Sequence, residues 1–227
     1  MKKHSVKRYV MLAMFSALAY ASLYVLRITG IGGFLSFDVK DAIIAIAAMI
    51  FGPISGTIIV LLVSLLEMVT ISGTGPWGLL MNFVSSAVFV VVGSAIYRYA
   101  PRIKKTLAGA IIGLCAAVLA TTLVMIPMNL LVTPIYQGVS VEAVKKLMLP
   151  LLLPFNFIKR VLNAAIVLML YKPLSTVLKQ LRIIDGKPES FRFDKKTILL
   201  LVGSIVVIVA CVLLLILWLG GRFELVK

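Results

Sequence analysis

The chain is a succession of long apolar runs separated by short polar connections. A helix that crosses a bilayer needs about 20 mostly apolar residues, and several runs reach that length with few or no charges. The runs are continuous rather than alternating, and backbone groups in hydrocarbon must be bonded internally, so the runs predict helices rather than barrel strands. The predicted helices cover residues 9–26, 39–69 in two parts, 78–97, 107–132, 154–171 and 197–219.

Glycine and proline set the boundaries between these runs. Gly52 and Pro53 interrupt one apolar stretch, and a proline there ends one helix and opens the next, which predicts a short helix, a tight turn and a longer helix. Pro127 predicts a kink within its helix. Residues 27–38 form a Gly-rich loop, and residues 133–150 form a longer connection that holds a short interfacial helix.

The distribution of charge indicates how the helices are oriented. The chain has 227 residues, 62% of them hydrophobic and 14% charged, with a net charge of +15. Such a charge on a soluble protein would suggest nucleic acid, but here the cations are concentrated in loops, which is typical of positive-inside topology in a bilayer. We therefore predict a multi-pass protein of the cell membrane, with no nucleic-acid partner, a cytoplasmic N-terminus and an extracellular C-terminus. The basic segments are 2–8, 98–105 and 172–196.

Polar side chains within the helix predicted at 154–171 are the strongest sign of a binding site. At 100° per residue, Asn156, Lys159, Arg160 and Asn163 share an arc of about 100°. A Lys or Arg at a helix centre costs roughly 2.5–3.5 kcal/mol, so such residues indicate function by default. Snorkelling of the two cations toward headgroups is the alternative, but it leaves the two asparagines unexplained. We favour Lys159 as a ligand contact and leave Arg160 open.

Further polar and aromatic residues are expected at the same, outer end of the bundle. They would complete a pocket with apolar walls and a few groups that orient a ligand. Several have alternative roles, since Asn82 is equally suited to bond a neighbouring helix, Glu67 to sit at the membrane interface and Trp77 to join the aromatic belt. The candidates are Asn129, Asn82, Glu67, Phe34, Phe37, Asp38 and Trp77.

A row of small residues marks the first predicted helix. Ala13, Ala17 and Ala21 recur every four residues, so they share one face. Small side chains at this spacing allow another helix to approach closely. The partner is either a second protein or another helix of this chain.

Catalysis and metal binding find little support. The single histidine, His4, lies in the N-terminal tail, which disfavours a His-based metal cluster. The chain lacks the G-x-x-x-x-G-K-[ST] phosphate loop, so it does not by itself drive a process with ATP. We predict that it is not an enzyme and has no catalytic residue, metal or cofactor.

Three segments resemble a known family when taken together. They are FLSFDVKDAIIAIAAMIFGPISG at 34–56, SGTGPWGLLMNFVSSAVF at 72–89 and PFNFIKRVLN at 154–163. The chain resembles the substrate-binding S components of energy-coupling factor (ECF) vitamin transporters, in particular their riboflavin-specific branch. The alanine row reinforces the resemblance, which extends over residues 5–182.

The resemblance implies a fold and a function beyond what periodicity indicates. It implies a six-helix all-α membrane protein that captures riboflavin at its extracellular side and delivers it to the cytoplasm, with FMN as a second candidate ligand. Partners would be a transmembrane coupling protein, contacted by Ala13, Ala17 and Ala21, and two ATP-binding subunits. The resemblance implies that Asn156, Lys159 and Asn129 bind the ligand. Together with Asn82, Phe34, Asp38 and Gly78 they make up the expected substrate-binding site.

The last apolar run departs from the six-helix pattern of the family. We therefore expect a substrate-binding domain at 1–182, a cytoplasmic linker at 183–196 and an additional transmembrane helix with a short tail at 197–227. Two other functions stay open from the sequence. One is an S component for another vitamin, and the other is a membrane scaffold whose polar groups only bond neighbouring helices.

Overall fold

The structure, a computed structural model, describes residues 3–31, 35–180 and 195–217. It is an all-α architecture with one small hairpin, and a π-helical turn at Met148–Leu152 joins two of its helices. The elements are α1 (Lys3–Val25), β1 (Ile28–Ile31), β2 (Leu35–Phe37), α2 (Lys40–Phe51), α3 (Pro53–Thr70), α4 (Gly75–Tyr99), α5 (Leu107–Gln137), α6 (Val141–Leu147), α7 (Leu153–Gln180) and α8 (Lys195–Leu217).

Six helical segments of the described chain are long and apolar enough to cross a membrane. They correspond to α1, α3, α4, α5, the run from α6 into α7, and α8. The helix α2 has only 12 residues, about 18 Å at 1.5 Å per residue, and nine of the 12 are buried. It is enclosed by α1, α3, α4 and α7. The chain is thus a multi-pass membrane protein built around a short central helix.

Small residues bring the inner helices together. A β-carbon at Gly56 would lie 2.5 Å from Cβ of Ala48 and 2.6 Å from Cγ1 of Val90, so α3 approaches α2 and α4 too closely for a side chain. A β-carbon at Gly113 on α5 would lie 2.7 Å from the carbonyl oxygen of Gly93 on α4. Such contacts replace the hydrophobic driving force that is absent between helices in lipid.

The predicted turn at Gly52 and Pro53 is confirmed, and the short helix predicted within the connection at 133–150 is α6 (Val141–Leu147). The predicted start of the long connection at residue 133 is wrong, because α5 continues through Pro127 and Pro134 to Gln137. It ends at Gly138, whose φ of 65° is the left-handed conformation that favours glycine at a helix end. Neighbouring helices allow a proline within a transmembrane helix, which sequence pattern alone does not reveal.

The Gly-rich loop contains a hairpin that the sequence did not indicate. Strands β1 and β2 pair antiparallel, with Ile28 opposite Phe37 and Ile31 opposite Leu35. Phe37 is buried in a cluster with Leu151 and other residues of the α7 region. The hairpin is therefore anchored on the start of α7, the helix that carries Asn156, Lys159, Arg160 and Asn163.

Helix α8 packs on α7, outside the rest of the bundle. Cys211 and Leu215, near its C-terminal end, are buried in the same cluster as Phe155 and Ile158 of α7. The predicted additional helix is confirmed, whereas the linker predicted at 183–196 lies mostly outside the described residues.

Candidate ligand-binding site

A polar cavity of about 480 Å³ lies at the end of the bundle where α3 ends and α4 and α7 begin. Sites for small molecules commonly enclose roughly 300–1,000 Å³ and combine apolar walls with a few convergent polar groups. This cavity has both kinds of wall, with Phe155, Met81 and Met125 beside amides and cations. Its polar and charged lining residues are Arg27, Ser36, Ser72, Thr74, Asn82, Ser85, Asn129, Tyr136, Gln137, Asn156, Lys159 and Arg160.

Three of the four polar residues predicted to share one arc of α7 line this cavity, namely Asn156, Lys159 and Arg160. Asn156 is buried, and its amide nitrogen donates to the carbonyl oxygen of Leu152, one turn earlier, at 2.7 Å. The two cations are 6% and 2% exposed. Snorkelling toward headgroups is therefore wrong for both, because their head groups stay inside the bundle.

Lys159 links α7 to the hairpin. Its ammonium donates to Oδ2 of Asp38 at 2.8 Å and to the carbonyl oxygen of Ser36 at 3.1 Å. Burial raises the pKa of the Asp38 carboxyl, but Lys159 and Lys40 lower it by more, so the pKa lies below its ordinary value. Asp38 is thus ionised at neutral pH, and its contact with Lys159 is an ion pair rather than a neutral hydrogen bond.

Arg160 connects three helices. Nη1 donates to Asp41 on α2, Nη2 donates to Oγ of Ser85 on α4 at 2.6 Å, and the guanidinium lies 5.3 Å from the ring centroid of Phe89. A fork of donors held on an aromatic face suits arginine better than lysine. This answers the question that the sequence leaves open, since Arg160 holds the cavity wall together and also borders the cavity.

Asn163 has a structural role and does not line the cavity. Its Oδ1 accepts from the backbone N–H of Ala42 at 2.9 Å, and its Nδ2 donates to the carbonyl oxygen of Asp38 at 3.1 Å. It therefore bonds α7 to the backbone at the start of α2. A shared helical arc did not distinguish this residue from Asn156.

The other predicted contacts fall around the same space. Asn129 lines the cavity from α5, where its Nδ2 donates to the carbonyl oxygen of Met125 and its Oδ1 accepts from Thr133. Asn82 and Gly78 line it from α4. A β-carbon at Gly78 would overlap Oγ1 of Thr74, so this wall requires glycine.

Five of the predicted positions, Glu67 among them, do not line the cavity or lie outside the described residues. Trp77 is 41% exposed and Phe37 packs on the α7 side of the hairpin, and neither lines the cavity. Phe34 lies outside the described residues. Asp38 sits directly behind the wall through its pair with Lys159.

A buried network of charges behind the wall was not found from sequence. Nζ of Lys40 lies 2.6 Å from Oε2 of Glu67 and 3.8 Å from Oδ2 of Asp38. Nη1 of Arg27, a residue that lines the cavity, lies 3.6 Å from Oε1 of Glu67. Glu67 therefore pairs inside the bundle rather than sitting at the membrane interface. The charged letters DVKD at the start of an apolar run were the available signal, since a buried charge requires a partner.

The alanine row lies on the outside of the molecule. Ala13, Ala17 and Ala21 are all exposed on α1, so internal packing does not account for them. Among the described residues, no three His, Cys, Asp or Glu side chains are grouped as metal ligands would be.

Comparison with known proteins gives a consistent result. Residues 7–171 match the family described as "ECF transporter, substrate-specific component". The riboflavin transporter RibU of Staphylococcus aureus (strain TCH60) is 29% identical over 182 residues, which cover 77% of this chain and 94% of that protein. The riboflavin transporter FmnP of Bacillus subtilis (strain 168) is 24% identical over 188 residues, which cover 78% and 96%.

A solved structure of the S component of a bacterial ECF transporter has the same fold. It superposes with a TM-score of 0.65 at 28% sequence identity, over 77% of this chain and 99% of that chain. The family match spans most of the chain and includes every helix that borders the polar cavity. The resemblance seen in the sequence is thereby confirmed, and the chain belongs to the substrate-specific components of ECF transporters.

Proposed function

We propose that the chain captures riboflavin in the polar cavity and delivers it to the cytoplasm when coupled to an ATP-driven module. The observation that carries the proposal is the cavity itself, which combines aromatic and aliphatic walls with a few amide and ammonium groups. A flavin ring has an apolar face and a polar edge, which matches this division. The similarity to two riboflavin transporters supports the same ligand.

Membership in the family has two direct consequences. The chain is a transport component rather than an enzyme, and it associates with an ECF module. In our proposal that module consists of a transmembrane coupling protein and two ATP-binding subunits. Riboflavin is then a transported substrate and not a cofactor.

The charges at the two ends of α2 support an extracellular cavity. The cavity and its ion pairs lie at the N-terminal end of α2. At the opposite end Arg98 donates to the carbonyl oxygens of Met49 and Ile50, at 3.2 and 2.6 Å, and Arg8 donates to that of Phe51. Since basic residues concentrate on the cytoplasmic side, the cavity faces outward and the N-terminus lies inside. An α8 that spans the membrane then places the C-terminus outside.

Individual roles follow from position. We assign the polar edge of the ligand to Asn156, Lys159 and Asn129, each of which has hydrogen-bonding capacity beyond its internal bonds. Asn82 lines the same cavity from α4, and Gly78 on that helix leaves space that a side chain would fill. Asp38 orients Lys159 through their hydrogen bond.

Ligand binding is tested directly on the purified protein. We expect co-purified flavin to colour the protein yellow, and added riboflavin to lose its fluorescence on binding with one site per chain. A colourless protein that quenches no riboflavin at micromolar concentration contradicts the proposal. If riboflavin fluorescence is not quenched but calorimetry detects binding of another vitamin, the family assignment stands and the proposed ligand is wrong.

The coupling role is tested at Ala17. An Ala17→Trp variant should abolish riboflavin uptake by cells and leave binding by the purified protein unchanged, because a bulky side chain blocks close helix approach without touching the cavity. Leu123→Trp is the control, since Leu123 is exposed to lipid on α5, at 63%. Normal uptake by Ala17→Trp would remove the coupling role of the alanine row.

A specific observation favours FMN as a second ligand. Arg27 and Lys159 both line the cavity, and Nε of Arg27 has no hydrogen-bond partner among the described residues. A guanidinium with spare donors suits a phosphate group. We expect FMN to compete with riboflavin, and an Arg27→Gln variant to weaken FMN binding more than riboflavin binding.

A further inference from the structure

A second space lies between α5, α7 and α8. It is a groove of about 770 Å³ with almost entirely apolar walls. On α5 the groove extends from Leu107 to Leu119, about 18 Å at 1.5 Å per residue. One leaflet accounts for about half of the roughly 30 Å hydrocarbon core, so the groove is about one leaflet long.

On α8, the groove is lined by the half of the helix that lies away from the polar cavity. Near the cavity end, Cys211 and Leu215 of α8 pack directly on α7. Toward the other end, Leu199 and Val207 line the groove instead. A β-carbon at Gly203, between them, would meet nothing within 4 Å.

Three lysines lie close in sequence to the groove residues at the end away from the polar cavity. Lys105 lies two residues before Leu107, Lys172 lies one turn beyond the lining residue Leu168, and Lys195 lies one turn before Leu199. All three are exposed. Residues four apart share a helix face, so Lys172 and Lys195 continue the lines of groove residues on α7 and α8.

The lysines come from different parts of the chain, and two of them lie where α7 meets the start of α8. Lys172 donates to the hydroxyl of Thr197, which brings the α7 cation against the start of α8. None of α5, α7 and α8 contains Asp or Glu. This end faces the same side as the basic loop at 98–105, which is the cytoplasmic side under the positive-inside rule.

We propose that the groove binds an acyl chain of an anionic phospholipid from the cytoplasmic leaflet, with the phosphate held by Lys105, Lys172 and Lys195. Basic pockets between transmembrane helices on the cytoplasmic side recognise lipid headgroups in this way. The length of the groove fits a chain of one leaflet, whereas a partner helix would need a surface that spans the membrane. The bound lipid joins α8 to the substrate-binding helices.

Binding is measured by native mass spectrometry of the full-length protein, with phosphatidylglycerol and phosphatidylcholine of the same acyl chains. We expect retained phosphatidylglycerol and a clear preference for it over phosphatidylcholine. Gly203→Phe fills the groove and should abolish retention. Ile205→Phe, on the outward side of α8 where Ile205 is 50% exposed, is the matched control and should retain the lipid. Equal retention by the two variants overturns the proposal.

The headgroup contacts are tested by Lys105→Gln, Lys172→Gln and Lys195→Gln. Each should weaken phosphatidylglycerol binding about fivefold and leave phosphatidylcholine binding unchanged. Lys7→Gln, on the cytoplasmic end of α1 and away from the groove, is the control. An equal loss in Lys7→Gln, or no loss in any variant, contradicts the assignment.

A third measurement uses the unmodified protein, so its outcome does not depend on whether a variant folds. Phosphatidylglycerol with a photoreactive acyl chain should cross-link the unmodified protein at Cys115 and Phe157, which both line the groove. Labelling spread evenly over the lipid-exposed faces of α3 and α8 overturns the proposal. So does a stable dimer in detergent that retains no phospholipid, because the groove would then hold a protein partner.

Discussion

The polar cavity and the apolar groove both border α7, and they differ in chemistry more than in size. The groove is the larger, at about 770 Å³ against about 480 Å³. The cavity receives Asn156 and Lys159 from α7, whereas the groove receives Phe157 and Leu168. The larger volume does not make the groove the better site for a vitamin. Selective recognition needs a few well-placed polar groups, and the groove has almost none.

The two spaces also differ in how their walls are held. The cavity wall is held by buried ion pairs behind it, so Lys159 and Arg160 each depend on a carboxylate from a distant part of the chain. The groove wall consists of apolar side chains, and those that face lipid, such as Leu119 and Leu199, can be replaced by any apolar residue of similar size. We therefore expect substitutions in the cavity wall to have large and specific effects, and those in the groove wall to have small ones.

The largest effect is expected from Arg160→Met. It leaves Asp41, which is fully buried, without its cation, and breaking a buried ion pair in this way costs about 3–5 kcal/mol. Thermal unfolding in a mild detergent should show a much lower midpoint. Phe157→Met, on the groove side of the same helix, is the control and should melt close to the parent. A parent-like midpoint for Arg160→Met would mean that the α2–α7 pair does not stabilise the fold.

Lys159→Met should mainly reduce affinity. It removes a charged hydrogen bond to the ligand, worth about 1.5–3 kcal/mol, so the Kd for riboflavin should rise roughly tenfold to 150-fold. Stability should fall less than for Arg160→Met, because Asp38 keeps Lys40 at 3.8 Å. Fluorescence titration measures the Kd, and Lys146→Met, at an exposed position on α6, is the control. Unchanged affinity would limit Lys159 to its structural bond with the hairpin.

The sequence predicted those parts of the fold that depend on local chemistry. Gly52 and Pro53 gave the turn after α2, and apolar length gave the spanning helices including α8. Helical spacing also brought Asn156 and Lys159 to one face, and both line the cavity.

Long-range pairing could not be predicted in the same way. Arg160 and Asp41 are 119 positions apart, and no local signal connects them. Asn163 shares the arc of Asn156 but meets the start of α2, because packing and not periodicity decides what each side of α7 contacts. The hairpin was missed for a related reason, since its strands are short and are held by contacts with α7.

Asn156→Leu should have a smaller effect than Lys159→Met. The amide is uncharged, and one neutral hydrogen bond contributes about 0.5–1.5 kcal/mol, so the Kd should rise roughly twofold to tenfold. The matched variant is Asn163→Leu, which removes the bonds to Ala42 and Asp38 and should lower the unfolding midpoint instead. If both variants lose affinity equally at an unchanged midpoint, Asn163 contacts the ligand as well.

The smallest effect is expected from Leu119→Ala in the groove wall. Leu119 lies on α5, lines the groove and is 58% exposed, so the substitution removes contacts with lipid rather than core packing. Riboflavin affinity should be unchanged, and the unfolding midpoint should stay close to the parent, since substitutions outside packed or charged features usually change stability by no more than about 0.5 kcal/mol. The same titration and melting measurements check both expectations. A marked loss of riboflavin affinity would mean that the two sides of α7 are coupled, and that the α8 side takes part in substrate binding rather than only bordering it.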